Sequence, residues 1–317
     1  MNGMNQENSQ QIVFEEDFYL NATAGNERWN EVSILDERGI VEARFVFSYQ
    51  EKLGLRTIGM PPLVPVLGPW INPQVIESKS HDYIYELVSK IIAKLPRFDH
   101  FDQSFHHSRS DWLAWYWAGF EQTSYYTHLL TRETTASLFD SLRENTKRSL
   151  DKAQRKNSLT CQIGVPFPEL FSVLENSYAR QHLGNLSKME MEPLTRLHQA
   201  LIQNNRGTIL GITNPKGQVL AATLLVWDSS FVYYLRGGVN SSSINTGAGT
   251  MAIWESIKFA HNMHRVFDFE GSMVKSINHF FRGFRPIPTP YSRISHSTSK
   301  YRLHRRASNL SRHFLGI

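Results

Sequence analysis

The sequence predicts an α/β protein of two domains, each a mixed, mostly antiparallel sheet flanked by helices. Three observations carry this. Apolar residues switch repeatedly between the two-residue period of strands and the 3.6-residue period of helices. In the second half, Gly207–Thr213, Val219–Trp227 and Phe231–Arg236 follow one another through tight turns, Asn-Pro-Lys-Gly and then Asp-Ser-Ser, as an antiparallel meander would. A chain of 317 residues, 41% of them hydrophobic, suffices for two cores, since domains run to roughly 100–200 residues.

Composition narrows the class. Gly (19) and Pro (13) are ordinary in number and aromatics reach 12%, which excludes disordered and fibrous chains. No run of about 18 apolar residues occurs, so no membrane span is expected. Met1–Gln11 is polar and lacks the order of a signal peptide, and the lone Cys161 has no disulfide partner. Both features predict a cytoplasmic protein. The formal charge of +5 permits an anionic partner such as a nucleotide, CoA, tRNA or a lipid surface. Much of the excess lies in Lys300, Arg302, Arg305, Arg306 and Arg312, with no acid after Glu270. A solvated basic helix explains that tail equally well.

In the first half, Val32–Leu35 and Val41–Ser48 read as strands joined by a turn at Asp36–Gly39. Leu63–Trp70, punctuated by Pro and Gly, is a loop and no central strand. Asp82–Leu95 is a helix, with Ile84, Leu87, Val88, Ile91 and Ile92 on one face and Pro96 closing it. Phe98–Phe105 and Thr123–Leu130 are strands, with Trp112, Trp115 and Trp117 clustered between them.

A helix start at Thr131–Glu133 leads to the most basic helix, carrying Arg143, Lys147, Arg148, Lys152, Arg155 and Lys156. A short strand, Thr160–Ile163, precedes two helices, Pro168–Arg180 and Pro193–Asn204, which break at His182–Lys188. After the meander come a Gly-, Ser- and Asn-rich loop at Gly237–Thr246, a helix at Gly249–His264, a strand at Val266–Phe269 and a helix at Ser272–Phe281.

The segment Phe231–Phe284 resembles the FemAB-like branch of the GNAT acyltransferase superfamily. The matching residues are Tyr233, Tyr234, Leu235 and Gly237 on the strand, then Trp254, Ile257 and Ala260 on the helix. Phe267, Asp268, Phe269 and Gly271 follow at a strand end, and Phe281, Arg282, Gly283 and Phe284 at a helix end. Upstream, the basic helix resembles a second family motif through Lys147, Arg148, Lys152, Ala153 and Lys156. The two matches span Leu142–Phe284, roughly half the chain. The resemblance implies tandem GNAT-like domains, here 1–135 and 136–296, with a basic tail at 297–317. It also implies transfer of an acyl or aminoacyl group to an amine, with the first domain contributing to substrate binding.

Such chemistry directs attention to particular residues. A donor's phosphates sit well on the free N–H groups at a helix start. Gly247, Ala248, Gly249 and Thr250 stand at such a start, with Arg236 upstream, and flexible loop residues are the plainer reading. The superfamily's usual basic residue ahead of the glycines is missing; Ile244, Asn245 and Thr246 stand there. Amine acylation needs a proton acceptor and a stabilised oxyanion. Asp268 and Glu270, two apart on a strand, are expected on one face, where they would serve a reacting amine or merely brace the next helix. Lys275 and Arg282, seven apart, share a helix face. His106-His107 and His261-x-x-His264 lack further ligands at usual spacing, so no metal is expected. Cys161 reads as a structural thiol.

Three functions stay open. One is an N-acyltransferase taking acyl-CoA or acetyl-CoA to a small-molecule or cell-envelope amine. A second uses aminoacyl-tRNA on a cell-wall precursor, disfavoured by the absence of a long helical arm in Glu169–Gln203. The third is a non-catalytic binding module.

Overall fold

The computed structural model describes residues 11–25, 29–131, 135–180, 188–271 and 273–306. The helix starts expected at Thr131–Glu133 and Ser272, the break at His182–Lys188 and Arg312 of the tail fall wholly or partly outside them. Two compact units divide the chain: Met1–Tyr125 with Pro290–Ile317, and Tyr126–Thr289.

In the first unit, β1 (Asn30–Leu35) pairs antiparallel with β2 (Val41–Lys52). Asp36 closes their turn by accepting from the backbone N–H groups of Arg38 and Ile40 at 2.8 and 2.9 Å. Strand β3 (Leu55–Gly59) is antiparallel to β2, and β4 (Trp70–Ile71) adds to the other part of β2. Strand β5 (His100–Ser104) is parallel to β3. Residues Arg293–Ser297 of β12 (Ile287–Ser297) run antiparallel to β5. Neither β3 nor β12 was expected; both are polar on one face, and their pairing partners supply the order. Helices α1 (Asp17–Ala24), α2 (Pro73–Ser78), α3 (His81–Lys94) and α4 (Leu113–Trp117) complete the unit, with one more helix at 299–306. The expected face of α3 buries Leu87, Val88 and Ile91 against Phe45, Phe101, Phe105 and Trp115. Those rings lie 5.2–6.3 Å apart, the range of favourable aromatic contact.

The second unit holds the end of β6 (Glu121–Leu130), then β7 (Thr160–Ile163), β8 (Gly207–Thr213), β9 (Val219–Trp227), β10 (Phe231–Val239) and β11 (Val266–Asp268). Its strand order is β6-β11-β10-β9-β8-β7, with β10 and β11 parallel and the other pairs antiparallel. The expected meander is β8-β9-β10. It is one residue group longer than anticipated: Gly237, Gly238 and Val239, expected in a loop, pair with Thr223, Ala222 and Ala221. A glycine keeps its backbone groups, and β9 is long enough to meet them. The helices are α5 (Thr135–Ser141), α6 (Glu144–Asp151), α7 (Phe167–Arg180), α8 (Lys188–Gln203), α9 (Ala248–Asn262) and α10 (Lys275–Phe281). One core joins Leu210, Leu225, Val232, Met251, Trp254, Ile257, Phe267, Phe269 and Phe281.

Candidate functional site

The end of β11 is the first part of the site. Asp268 is 3% exposed. Its carboxylate accepts from the Thr127 hydroxyl in a short bond and from the Glu270 N–H at 2.8 Å. The second bond folds the chain back, and Glu270 takes a left-handed φ of 56°, followed by Gly271 at 52°. Strand alternation therefore stops at Asp268, and the expectation that Asp268 and Glu270 share a strand face is corrected. They are neighbours across a turn instead. A side chain on Gly271 would strike the Tyr126 carbonyl oxygen and come within 2.7 Å of Thr127 Cα, so the turn closes over β6 only with glycine there. Glu270 is half-buried. Burial, reinforced by the Asp268 carboxylate, pushes its carboxyl well above the ordinary carboxylate range, and Arg236 pulls the other way. A non-glycine residue held left-handed costs about 1–3 kcal/mol, and Glu270 is one of seven such residues among those described.

The second part is where β10 leaves β11. Their pairing covers Phe231–Tyr233 against Val266–Asp268. Beyond that point β10 runs on to Val239, and among the described residues no backbone bonds it on that edge. A bulge at Leu235 shifts its register against β9 just past the parting. Bulges re-aim side chains and sit often beside active sites. Arg236, half-buried, follows the bulge and donates to the Leu235 carbonyl at 2.9 Å. Six residues of strand at about 3.3 Å each leave about 20 Å of β10, from Tyr233 to Val239, with that edge open to a backbone partner.

Helix α9 starts at the far end of this open edge, where a Cβ on Gly249 would lie 2.7 Å from Val239 Cγ2. Gly247 at its N-cap has no side chain to offer, and the Thr246 hydroxyl accepts from the Ala248 N–H at 3.2 Å, which leaves the N–H groups of Gly249 and Thr250 without a hydrogen-bond partner among the described residues. Gly247 precedes it with φ 88°, and a Cβ there would fall on the Ser149 carbonyl and within 3.0 Å of Ala153. Gly247 and Ala248 are buried under α6, while Gly249 and Thr250 are half-buried. Close packing thus accounts for glycine at 247, which corrects the expectation that all four residues face a phosphate. Thr250 Oγ1 accepts from Ser149 at 2.8 Å. Helix α6 ends in a π-turn, Lys152–Lys156, and Asn157 then donates to the Thr246 carbonyl at 2.8 Å. The exposed Lys152 and Lys156 flank this contact.

The third part is an open cleft of about 980 Å³ beside α10. Lys275, His279 and Arg282 line it together with Tyr126, His128 and Asn278. The expected shared face of Lys275 and Arg282 is therefore real. The Phe-Arg-Gly-Phe segment builds it: Phe281 and Phe284 pack on Phe269 at 4.9 and 6.1 Å, and the Gly283 carbonyl accepts from Arg143 N–H. Arg282 is left exposed. His128, 1% exposed, meets Asn278 Nδ2 at 3.4 Å through Nε2, and its Nδ1 is buried without a partner among the described residues. Burial holds its imidazole below the ordinary range; Arg282 adds to this and Asp268 opposes it. The surroundings thus favour its neutral form.

Of the residues chosen from sequence, Asp268 and Glu270 are hydrogen-bonded neighbours and the Arg236 charge reaches Glu270, while Arg282 lines the separate cleft that His128 shares. Thr127, His128 and Asn278 were missed. His128 sits in an expected strand, but nothing local singles it out among 13 histidines. Burial pushes the Cys161 thiol up to about 11, in keeping with a structural role.

Comparisons with known proteins bear on the fold. A family model described as Acetyltransferase (GNAT) domain matches residues 140–275, within the second unit. Among solved structures, FemX superposes with a TM-score of 0.66 at 11% identity, over 91% of this chain and 95% of that one. The C-terminal domain of a putative lysylphosphatidylglycerol synthetase from Agrobacterium fabrum gives 0.54 at 11%, over 98% and 97%. A tandem GNAT protein from the clavulanic acid biosynthesis pathway gives 0.56 at 9%, over 92% and 91%. No curated protein sequence matches the chain. With the family-model match, these likenesses show that the chain has the tandem GNAT-type, FemAB-like fold, its matched acetyltransferase segment lying in the second unit.

Proposed function

We propose that the second unit transfers an acyl group from an acyl-CoA-type thioester to an amine. The parting of β10 from β11 beside the start of α9, where Gly249 and Thr250 are half-buried, carries this reading. An extended donor arm would lie along the free edge of β10, its carbonyl near Tyr233 and its phosphates at Gly249 and Thr250. The cation that the loop itself lacks would come from Lys152 and Lys156 of the neighbouring segment.

Glu270 would take a proton from the acceptor ammonium. The amine nitrogen then attacks the thioester carbonyl, the carbon–sulfur bond breaks, and the thiolate leaves with a proton returned to it. Free N–H groups of β10 beyond Tyr233 would hold the oxyanion. Asp268 fixes the Glu270 turn, Arg236 favours its ionised form, and Arg282 would hold an anionic group of the acceptor. The neighbours named FemX and lysylphosphatidylglycerol synthetase favour a cell-envelope acceptor.

The exposed cations of α6 and its π-turn also suit a nucleic-acid backbone, so an aminoacyl-tRNA donor is the second reading. Thermal melting of the full chain separates the two. CoA or acetyl-CoA at 100 times its dissociation constant should stabilise the protein by about 2.7 kcal/mol, a shift of several degrees. No shift with CoA esters of any length would sink the thioester reading. Salt-sensitive binding of aminoacyl-tRNA in its place would establish the second.

A further inference from the structure

The stretch from Met273 to Pro288 is unusual for the surface of a folded unit. Met273, Val274, Phe280 and Ile287 are 62, 55, 40 and 56% exposed. Between them stand Lys275, Arg282 and Arg285, all exposed, and His279. No acid occurs in the chain after Glu270. Met273, Val274 and Pro288 line the same cleft mouth as Lys275, His279 and Arg282, so apolar and cationic groups are mixed on one surface.

That mixture discriminates between partners. A protein interface gathers apolar groups in a core depleted of charge, with charges at its rim. A bilayer surface accepts the two interspersed: large apolar side chains enter the boundary between headgroups and acyl chains, while cations remain among anionic headgroups. It also needs no matching shape, which suits a wide cleft mouth.

We propose that residues 273–288 dock this protein on an anionic bilayer surface. Met273, Val274, Phe280 and Ile287 enter the interface, and Lys275 and Arg285 meet the headgroups. The cleft would then open toward the membrane. Docking is independent of which group the second unit transfers.

The test is co-sedimentation of the full chain with vesicles of mixed phosphatidylglycerol and phosphatidylcholine, against pure phosphatidylcholine, at low and high salt. Binding is expected to the mixed vesicles, and to weaken with salt as the surface potential is screened. Each cation near such a surface strengthens binding about fivefold, so Lys275→Glu should weaken it at least fivefold. Met273→Asp with Val274→Asp should weaken it tenfold or more. These side chains are exposed, so unchanged circular dichroism and melting would confirm that each variant folds. Absence of binding to mixed vesicles overturns the proposal, as does equal binding to pure phosphatidylcholine. So does full binding by the Met273→Asp/Val274→Asp variant. Loss of binding in Arg302→Glu/Arg305→Glu/Arg306→Glu, with none in the 273–275 variants, would assign docking to the basic tail instead.

Discussion

The two units repeat one strand plan and end it differently. In each, an antiparallel series leads to a parallel pair, β3 with β5 in the first and β10 with β11 in the second, followed by an antiparallel strand. The first unit closes the end of its parallel pair with its own chain. Leu67 N–H donates to Ser104 O at 2.8 Å, and His106 N–H donates to Leu67 O at 2.8 Å, so the Pro-rich loop continues where β3 stops. Gln103, fully buried, donates through Nε2 to Val46 O and Gly59 O at 2.9 and 3.2 Å. Helices α2 and α3 are capped by Asn72 and Ser80. In the second unit, among the described residues, β10 has no backbone partner on one edge past Tyr233, and at the start of α9 only the Ala248 N–H is taken, by the Thr246 hydroxyl. The same topology thus yields a strand end covered by the unit's own chain in one unit and an open strand edge in the other, and open backbone donors are what a ligand can take up.

The sharpest way to break this contrast is Glu270→Gln. If Glu270 is the base, activity should drop by about 100-fold or more while donor affinity is kept, as read from kcat and from donor titration. In the wild type, kcat/KM should rise with pH through a value well above the ordinary 4.5, because the carboxyl must ionise to act. Stability should move oppositely. The folded state holds a proton that the unfolded state has lost, so this contribution is present below pH 4.5 and disappears as pH rises through the raised value. Glu270→Gln should therefore melt higher than wild type at neutral pH. Unchanged activity, or an acidic limb in the ordinary carboxylate range, would remove Glu270 from the mechanism.

A paired substitution sharpens the comparison. Gly247→Ala in the second unit should cost roughly 1–3 kcal/mol and also abolish the CoA-dependent melting shift, since it displaces α6 from the start of α9. Gln103→Ala in the first unit should cost about 1–3 kcal/mol by stranding two carbonyls, yet leave the shift intact. If Gln103→Ala removed the shift as well, the first unit would take part in donor binding.

The smallest effect is expected from Lys152→Glu with Lys156→Glu. Exposed charges act weakly, so donor affinity should fall by about two- to fivefold at low salt, and the difference from wild type should shrink at high salt. A far larger loss for aminoacyl-tRNA than for CoA would favour the second donor.

The residues of the proposed site were chosen from a strand end and a helix end, and of these Asp268 and Glu270 are bonded neighbours with Arg236 within electrostatic reach. Their relations were not legible. Alternation places Asp268 and Glu270 on one face, but the Asp268 side chain captures the Glu270 N–H and ends the strand between them. Gly247 looked like a phosphate residue because smallness suits both a ligand and a packed helix, and α6 decided which.

The sequence alone determined the fold class, the meander, most helices and the FemAB-like order of elements, because periodicity, turn chemistry and capping act over a few residues. Tertiary structure decided what completes each unit. Strand β12 joins β5 across a separation of nearly the whole second unit, with Arg293 bound to Asp102, 191 residues away. It also decided which parallel pair is plugged, which glycine is buried, and that His128 lies beneath Arg282. These outcomes depend on partners that distant segments bring, and no local pattern records them.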